Sequence, residues 1–108
     1  MLSGYRLMWM LVMFDLPVIT KKERHKATKF RNLLLDNGFE MAQYSVYLKS
    51  CSGKEQFQSY LRRIEKNQPR TGSIYVMGFT DKQYENCIRF KGEIKELKQK
   101  NPDQLTLF

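Results

Sequence analysis

The run Leu7-Met8-Trp9-Met10-Leu11-Val12-Met13-Phe14, stopped at once by Asp15-Leu16-Pro17, decides how this chain folds. It is apolar on both alternating sets: Leu7, Trp9, Leu11 and Met13 on one side, Met8, Met10, Val12 and Phe14 on the other. Successive residues of a strand point to opposite faces of its sheet, so a strand of this kind is central and needs cover on both sides. Helices can cover one face; in a chain of 108 residues a second copy of the sheet can cover the other. Asp15 ends the strand, and Pro17 prevents the ladder from continuing. The run is far shorter than the roughly 18–20 apolar residues of a bilayer span, and no small-residue cleavage site follows it. Neither a membrane partner nor a secretory signal is expected, and the cytoplasm is the expected compartment.

Outward from this strand the punctuation is regular. Thr20-Lys21-Lys22-Glu23 reads as a capping box opening a helix, with Ala27, Phe30, Leu33 and Leu34 on one stripe and Asn37-Gly38 as its stop. Residues 39–49 read as extended chain with Ala42, Tyr44, Val46 and Leu48 on one face, either one bent strand or two short ones broken near Gln43. Ser52-Gly53-Lys54-Glu55 reads as a second capping box before Phe57, Tyr60, Leu61 and Ile64 at helical spacing, and Asn67-Gln68-Pro69 stops that helix. Gly72 precedes a strand over Ser73–Phe79 that is again apolar on both faces, and Thr80-Asp81-Lys82-Gln83 caps a further helical turn. This order predicts an α+β ferredoxin-like sandwich over residues 1–92, an antiparallel sheet with helices on one face and a sheet-to-sheet homodimer. Residues 93–108 read as an extension: a helical stretch, a break at Asn101-Pro102-Asp103, and a short alternating strand from Gln104 to Phe108.

Nineteen Lys and Arg against eleven Asp and Glu leave a net charge of +8, which points to a polyanionic partner, nucleic acid before a membrane surface. Two cysteines without a C-x-x-C and a single histidine exclude a zinc finger, an iron–sulfur site and a disulfide framework. Cys51 and Cys87 read as reduced and structural. The basic residues fall in two groups: Lys21, Lys22, Arg24, His25, Lys26, Lys29 and Arg31 on the first helix, and Lys49, Lys54, Arg62, Arg63, Lys66 and Arg70 around the second. Such rows bind phosphates without reading sequence, although charged helix faces are often simply solvated. Asp15 is the candidate for chemistry, because a carboxylate fixed at a strand end can ligate Mg2+ together with phosphate oxygens and water. It can equally cap the following turn. Tyr44, Tyr47 and Tyr75 are candidate base-stacking residues, but the stretch Tyr75-Val76-Met77-Gly78-Phe79 lacks the basic and glycine pattern of an RNA-recognition motif.

Met10 to Pro17, the helix with Arg24, Phe30 and Leu33, then Gly38-Phe39 and Gln43-Tyr44-Ser45-Val46-Tyr47 together resemble the small CRISPR-associated adaptation protein family, the minor subunit of spacer-integration complexes. Gly72 to Val76 and the run from Thr80 to Tyr84 resemble the version that accompanies single-effector (type II) systems. The resemblance implies a dimer that bridges integrase subunits and supports duplex DNA, the prespacer. It implies a metal-dependent endonuclease of RNA or DNA, with Asp15 as catalytic residue and as the ligand of Mg2+ or another divalent cation, shared across the dimer. The terminal residues Leu105, Leu107 and Phe108 are expected to add a strand to the sister protomer or to the integrase. The alternatives are an endoribonuclease toxin on the same dimeric fold and a non-catalytic nucleic-acid-binding module.

Overall fold

In a computed structural model, which describes residues 8–90 and 92, the doubly apolar run lies at the centre of a four-stranded sheet. The elements are β1 (Met8–Asp15), α1 (Lys21–Asp36), β2 (Glu40–Gln43), β3 (Val46–Cys51), α2 (Lys54–Lys66), β4 (Ser73–Thr80) and α3 (Asp81–Glu85). The strands lie in the order β2-β3-β1-β4, and all three pairings are antiparallel. This is the ferredoxin-like arrangement that the element order predicts. No helix among the described residues is long and apolar enough to cross a membrane.

One face of β1 packs under the two long helices. Met10 and Val12 are fully buried there with Tyr47 and Cys51 of β3, Phe30 and Leu34 of α1, and Ile64 of α2. Phe14 meets the edge of the Phe30 ring at 5.2 Å and stacks against Tyr47 at 5.7 Å, which closes the core at that end. The other face carries Leu11, Met13, Leu48, Tyr75 and Met77, placed together by the register Leu11↔Leu48, Leu11↔Met77 and Met13↔Tyr75. Among the described residues no helix lies over its centre, and α3 alone folds across one end, where Tyr84 stacks on Trp9 at 4.0 Å and the Trp9 indole Nε1 donates to Asp81 Oδ1 at 3.0 Å.

The helix signals hold at α1 and α3 and shift at α2. Thr20 Oγ1 accepts from Glu23 N at 3.0 Å, while Glu23 Oε1 accepts from both Thr20 N and Ile19 N. Thr80 and Gln83 form the same reciprocal box before α3. At α2 the expected box at Ser52 and Glu55 does not form: the cap is Gly53, and Gln56 Oε1 accepts from Ser52 N at 2.8 Å instead. The helix starts one residue later, so Gln56 rather than Glu55 occupies the position that reaches back.

Residues 39–49 resolve into two strands joined at Tyr44–Ser45, with a register shift between Met41 and Gln43. The extra residue takes Tyr44 out of the face it was expected to share with Val46 and Leu48. Gly38, at φ +87°, ends α1 as its position suggests. The last turn of α1 contains no basic residue, but two cations reach its end from elsewhere. Arg63 Nη1 donates to Asn37 Oδ1 at 2.6 Å, and Arg63 and Lys49 both lie over the Tyr60 ring, at 5.3 and 5.4 Å. They supply the positive charge that a helix C-terminus favours. The expected terminal helix and strand over residues 93–108 lie outside the described residues.

Candidate functional site

Asp15 is exposed at the end of β1, on the same alternation as Leu11 and Met13 and therefore on the uncovered side of the sheet. Its backbone is held from both neighbours. Phe14 N donates to Ser45 O at 3.0 Å, and Asp15 pairs with Ser73. Gly72, at φ +69°, packs so closely that a Cβ there would collide with the Asp15 carbonyl oxygen and lie 3.0 Å from Leu16 Cα. Only glycine combines that backbone conformation with that approach. The sequence offered Gly72 as a residue preceding a strand; its contact with the end of a distant strand depends on pairing that local patterns do not encode.

A resident metal needs more than one chain supplies. Among the described residues no three His, Cys, Asp or Glu side chains gather in one place. Asp36 ends α1, and Glu40 opens β2, two strands away from β1 in the sheet. One exposed carboxylate cannot form a closed site. It does match a hard cation held by a carboxylate or two together with phosphate oxygens and water, and a second Asp15 would complete that set.

The basic candidates separate by position. Lys21, Lys22, His25, Lys29 and Arg31 are exposed along α1, and Arg62, Lys66 and Arg70 are exposed on or just after α2. Both groups lie on the helix side, away from the uncovered face. Between the helices runs an open groove of about 590 Å³, with Lys26, Lys29 and Lys66 on its walls. Two residues have structural work as well. Arg24 Nη1 donates to the carbonyls of Val18 and Ile19, at 3.2 and 2.7 Å, and so holds the β1–α1 loop. Arg63 is bonded to Asn37 as described.

The three tyrosines do not make one platform. Tyr44 is exposed at the hairpin turn, Tyr47 is buried on the helix side, and Tyr75 lies on the open face. The thiols also differ: burial pushes the Cys51 thiol up, whereas Cys87 is exposed and so is not the structural residue expected of it. Leu105, Leu107 and Phe108 lie outside the described residues.

Comparison with known proteins places this geometry in a family. The sequence model for CRISPR associated protein Cas2 matches residues 8–87, from the start of β1 to just past α3. A protein of Paracidovorax avenae named CRISPR-associated endoribonuclease Cas2 is 56% identical over 108 residues, covering 100% of both chains. A Flavobacterium psychrophilum protein of the same name is 43% identical over 107 residues, covering 99% of this chain and 93% of its own. One from Parvibaculum lavamentivorans is 36% identical over 101 residues, 94% of this chain and 100% of its own. By its family match, by these relatives and by the fold that the family resemblance implied, the chain belongs to the Cas2 family of CRISPR-associated proteins.

Proposed function

We propose that this chain is the minor subunit of a spacer-integration assembly: a homodimer that carries duplex DNA by its backbone, bridges integrase subunits, and keeps a nuclease centre at paired Asp15 carboxylates. The observation behind the reading is that Asp15 ends the strand whose Leu11 and Met13 lie on the uncovered face. A second copy laid on that face removes apolar surface from water, worth roughly 25 cal/mol per Å². A two-fold axis near the strand ends then sets the two carboxylates opposite each other.

The family match favours adaptation over a toxin on the same fold, and the relatives' name supports hydrolysis of RNA. Asp15 would hold Mg2+, which supplies polarisation of a phosphate oxygen and a more acidic bound water. The chain's own part is positioning. Gly72 and Ser45 fix the backbone around Asp15, and the rows on α1 and α2 hold phosphates without base readout, as a subunit accepting any foreign sequence requires. The likeness to the single-effector version belongs to the same proposal, and so does strand addition to a partner by this chain's terminal Leu105, Leu107 and Phe108.

Asp15→Asn keeps the shape and removes the charge a hard cation needs. Nuclease activity of this variant is expected to fall to background, while spacer integration with the integrase subunit survives and the metal-free dimer is at least as stable as the parent, since two facing carboxylates repel. Loss of integration in a variant that still dimerises and binds DNA would overturn the scaffold role. Full metal-dependent cleavage would clear Asp15 as the ligand.

A further inference from the structure

A second concavity lies one residue away from Asp15, on the helix side of the sheet. It is a cleft of about 320 Å³ between α1 and the β2–β3 hairpin, a size suited to a small aromatic ligand. The α1 wall is the stripe Arg24, Ala27, Thr28 and Arg31, at helical spacing. Two small side chains between two arginines leave the helix unable to fill the space, so the gap follows from the sequence. The opposite wall is apolar, with Phe14 and Leu16 from the end of β1 and the loop after it. Tyr44 stands at the rim and is 90% exposed, an unusual position for so large a ring.

The walls are fixed before any ligand arrives. Ser45, held at φ 62° next to Tyr44, accepts from Phe14 N and pins the hairpin tip to β1. Arg24 is bonded to the carbonyls of Val18 and Ile19 and holds the loop wall. Arg31 is exposed on the same stripe, and in the cleft wall burial pushes the Tyr47 phenol up while the Arg31 charge opposes that rise. No carboxylate lines the cleft. The complement to such a site is a flat ring carrying a negative charge.

We infer that this cleft takes one unpaired nucleotide of a nucleic-acid strand, with the base against the apolar wall under the Tyr44 ring and its phosphate on Arg31. The inference rests on the reading that the chain binds nucleic acid and deepens it. A duplex held by its backbone offers no free base, so the cleft would engage a single-stranded substrate or the splayed end of a duplex. Base–aromatic stacking tolerates any sequence, which agrees with a surface that reads none.

The test uses the full-length protein and a short oligonucleotide carrying 2-aminopurine, whose fluorescence is quenched on stacking. It is run as single-stranded DNA, as single-stranded RNA, and as a blunt duplex with the probe base paired. The wild type is expected to quench the single-stranded probes, and the DNA and RNA arms show which sugar the cleft prefers. Tyr44→Ala should abolish the quench and weaken single-strand binding by between about fivefold and a hundredfold, while Tyr44→Phe restores both. Arg31→Gln should make the salt dependence of single-strand affinity shallower by about 0.7 in log–log slope. Blunt-duplex affinity should be the same in the wild type and both Tyr44 variants. An unchanged quench in Tyr44→Ala, or an equal loss of duplex binding, overturns the cleft. A wild type that binds duplex but does not quench the single-stranded probes overturns the cleft and leaves the scaffold reading standing; binding to none of the probes overturns both.

Discussion

The two faces of β1 are built from the same kinds of residue and end differently covered, Leu11 and Met13 on the open side being only half-buried. On the helix side Met10 and Val12 are inaccessible to solvent; across the sheet Met77 is 46% exposed and Tyr75 62%. Leu48 lies on that second face and is nevertheless buried. The difference comes from cover among the described residues: Phe30, Leu34 and Ile64 descend on one side, and the short α3 alone reaches across an end of the other. Apolar residues at alternate positions therefore specify that two covers are needed, and the described helices supply one. An uncovered apolar face of this kind marks an interaction surface.

The largest effect is expected on the helix side. Phe30→Ala removes a ring that is 2% exposed and should cost about 3–5 kcal/mol of unfolding free energy, read from the midpoint of urea denaturation. A cost under about 1 kcal/mol would mean that this core is not the one that holds the fold. The open face should respond in association instead. Met77→Lys places a charge where the second copy is expected and should raise the dimer dissociation constant tenfold or more, about 1.4 kcal/mol, by sedimentation analysis. Its effect on the folding of the single chain should be small. Equal losses in both quantities would show that one packed unit spans both faces. The smallest effect belongs to the solvated helix rows. Replacing Lys29 and Lys66 together by Gln should make the slope of log duplex affinity against log salt shallower by up to about 0.9 per lost phosphate contact, without changing stability. An unchanged slope would move the DNA to another surface.

Most of the scaffold was legible because local chemistry set it. The box at Thr20 and Glu23, the stop at Asn37-Gly38, and the limits of β1 at Asp15 all stand where short-range patterns place them. The break near Gln43 was legible as well, but its geometry was not. A bulge and a left-handed Ser45 move Tyr44 off the sheet, and alternation counted along the chain has no means of registering an extra residue. The candidate site was legible as a residue and not as an arrangement. Asp15 stands out from its place after the apolar run, whereas the fit of Gly72 against it joins residues 57 positions apart. The basic residues show the same limit. Composition marks Arg24 and Arg63 as cations like the others, and only tertiary contacts show that one holds a loop and the other the end of a helix.

A second copy closing the open face would bring two Asp15 carboxylates into one centre. Co-expressing wild-type and Asp15→Asn chains in equal amounts, with different tags so that the ratio is verified, yields dimers of which about a quarter carry two Asp15 carboxylates, about half carry one and about a quarter carry none. If both are required, the metal-dependent cleavage rate on single-stranded RNA should fall to about a quarter of the wild-type rate at the same total protein. A rate of about half would show that each Asp15 works alone, and the shared centre would have to be abandoned.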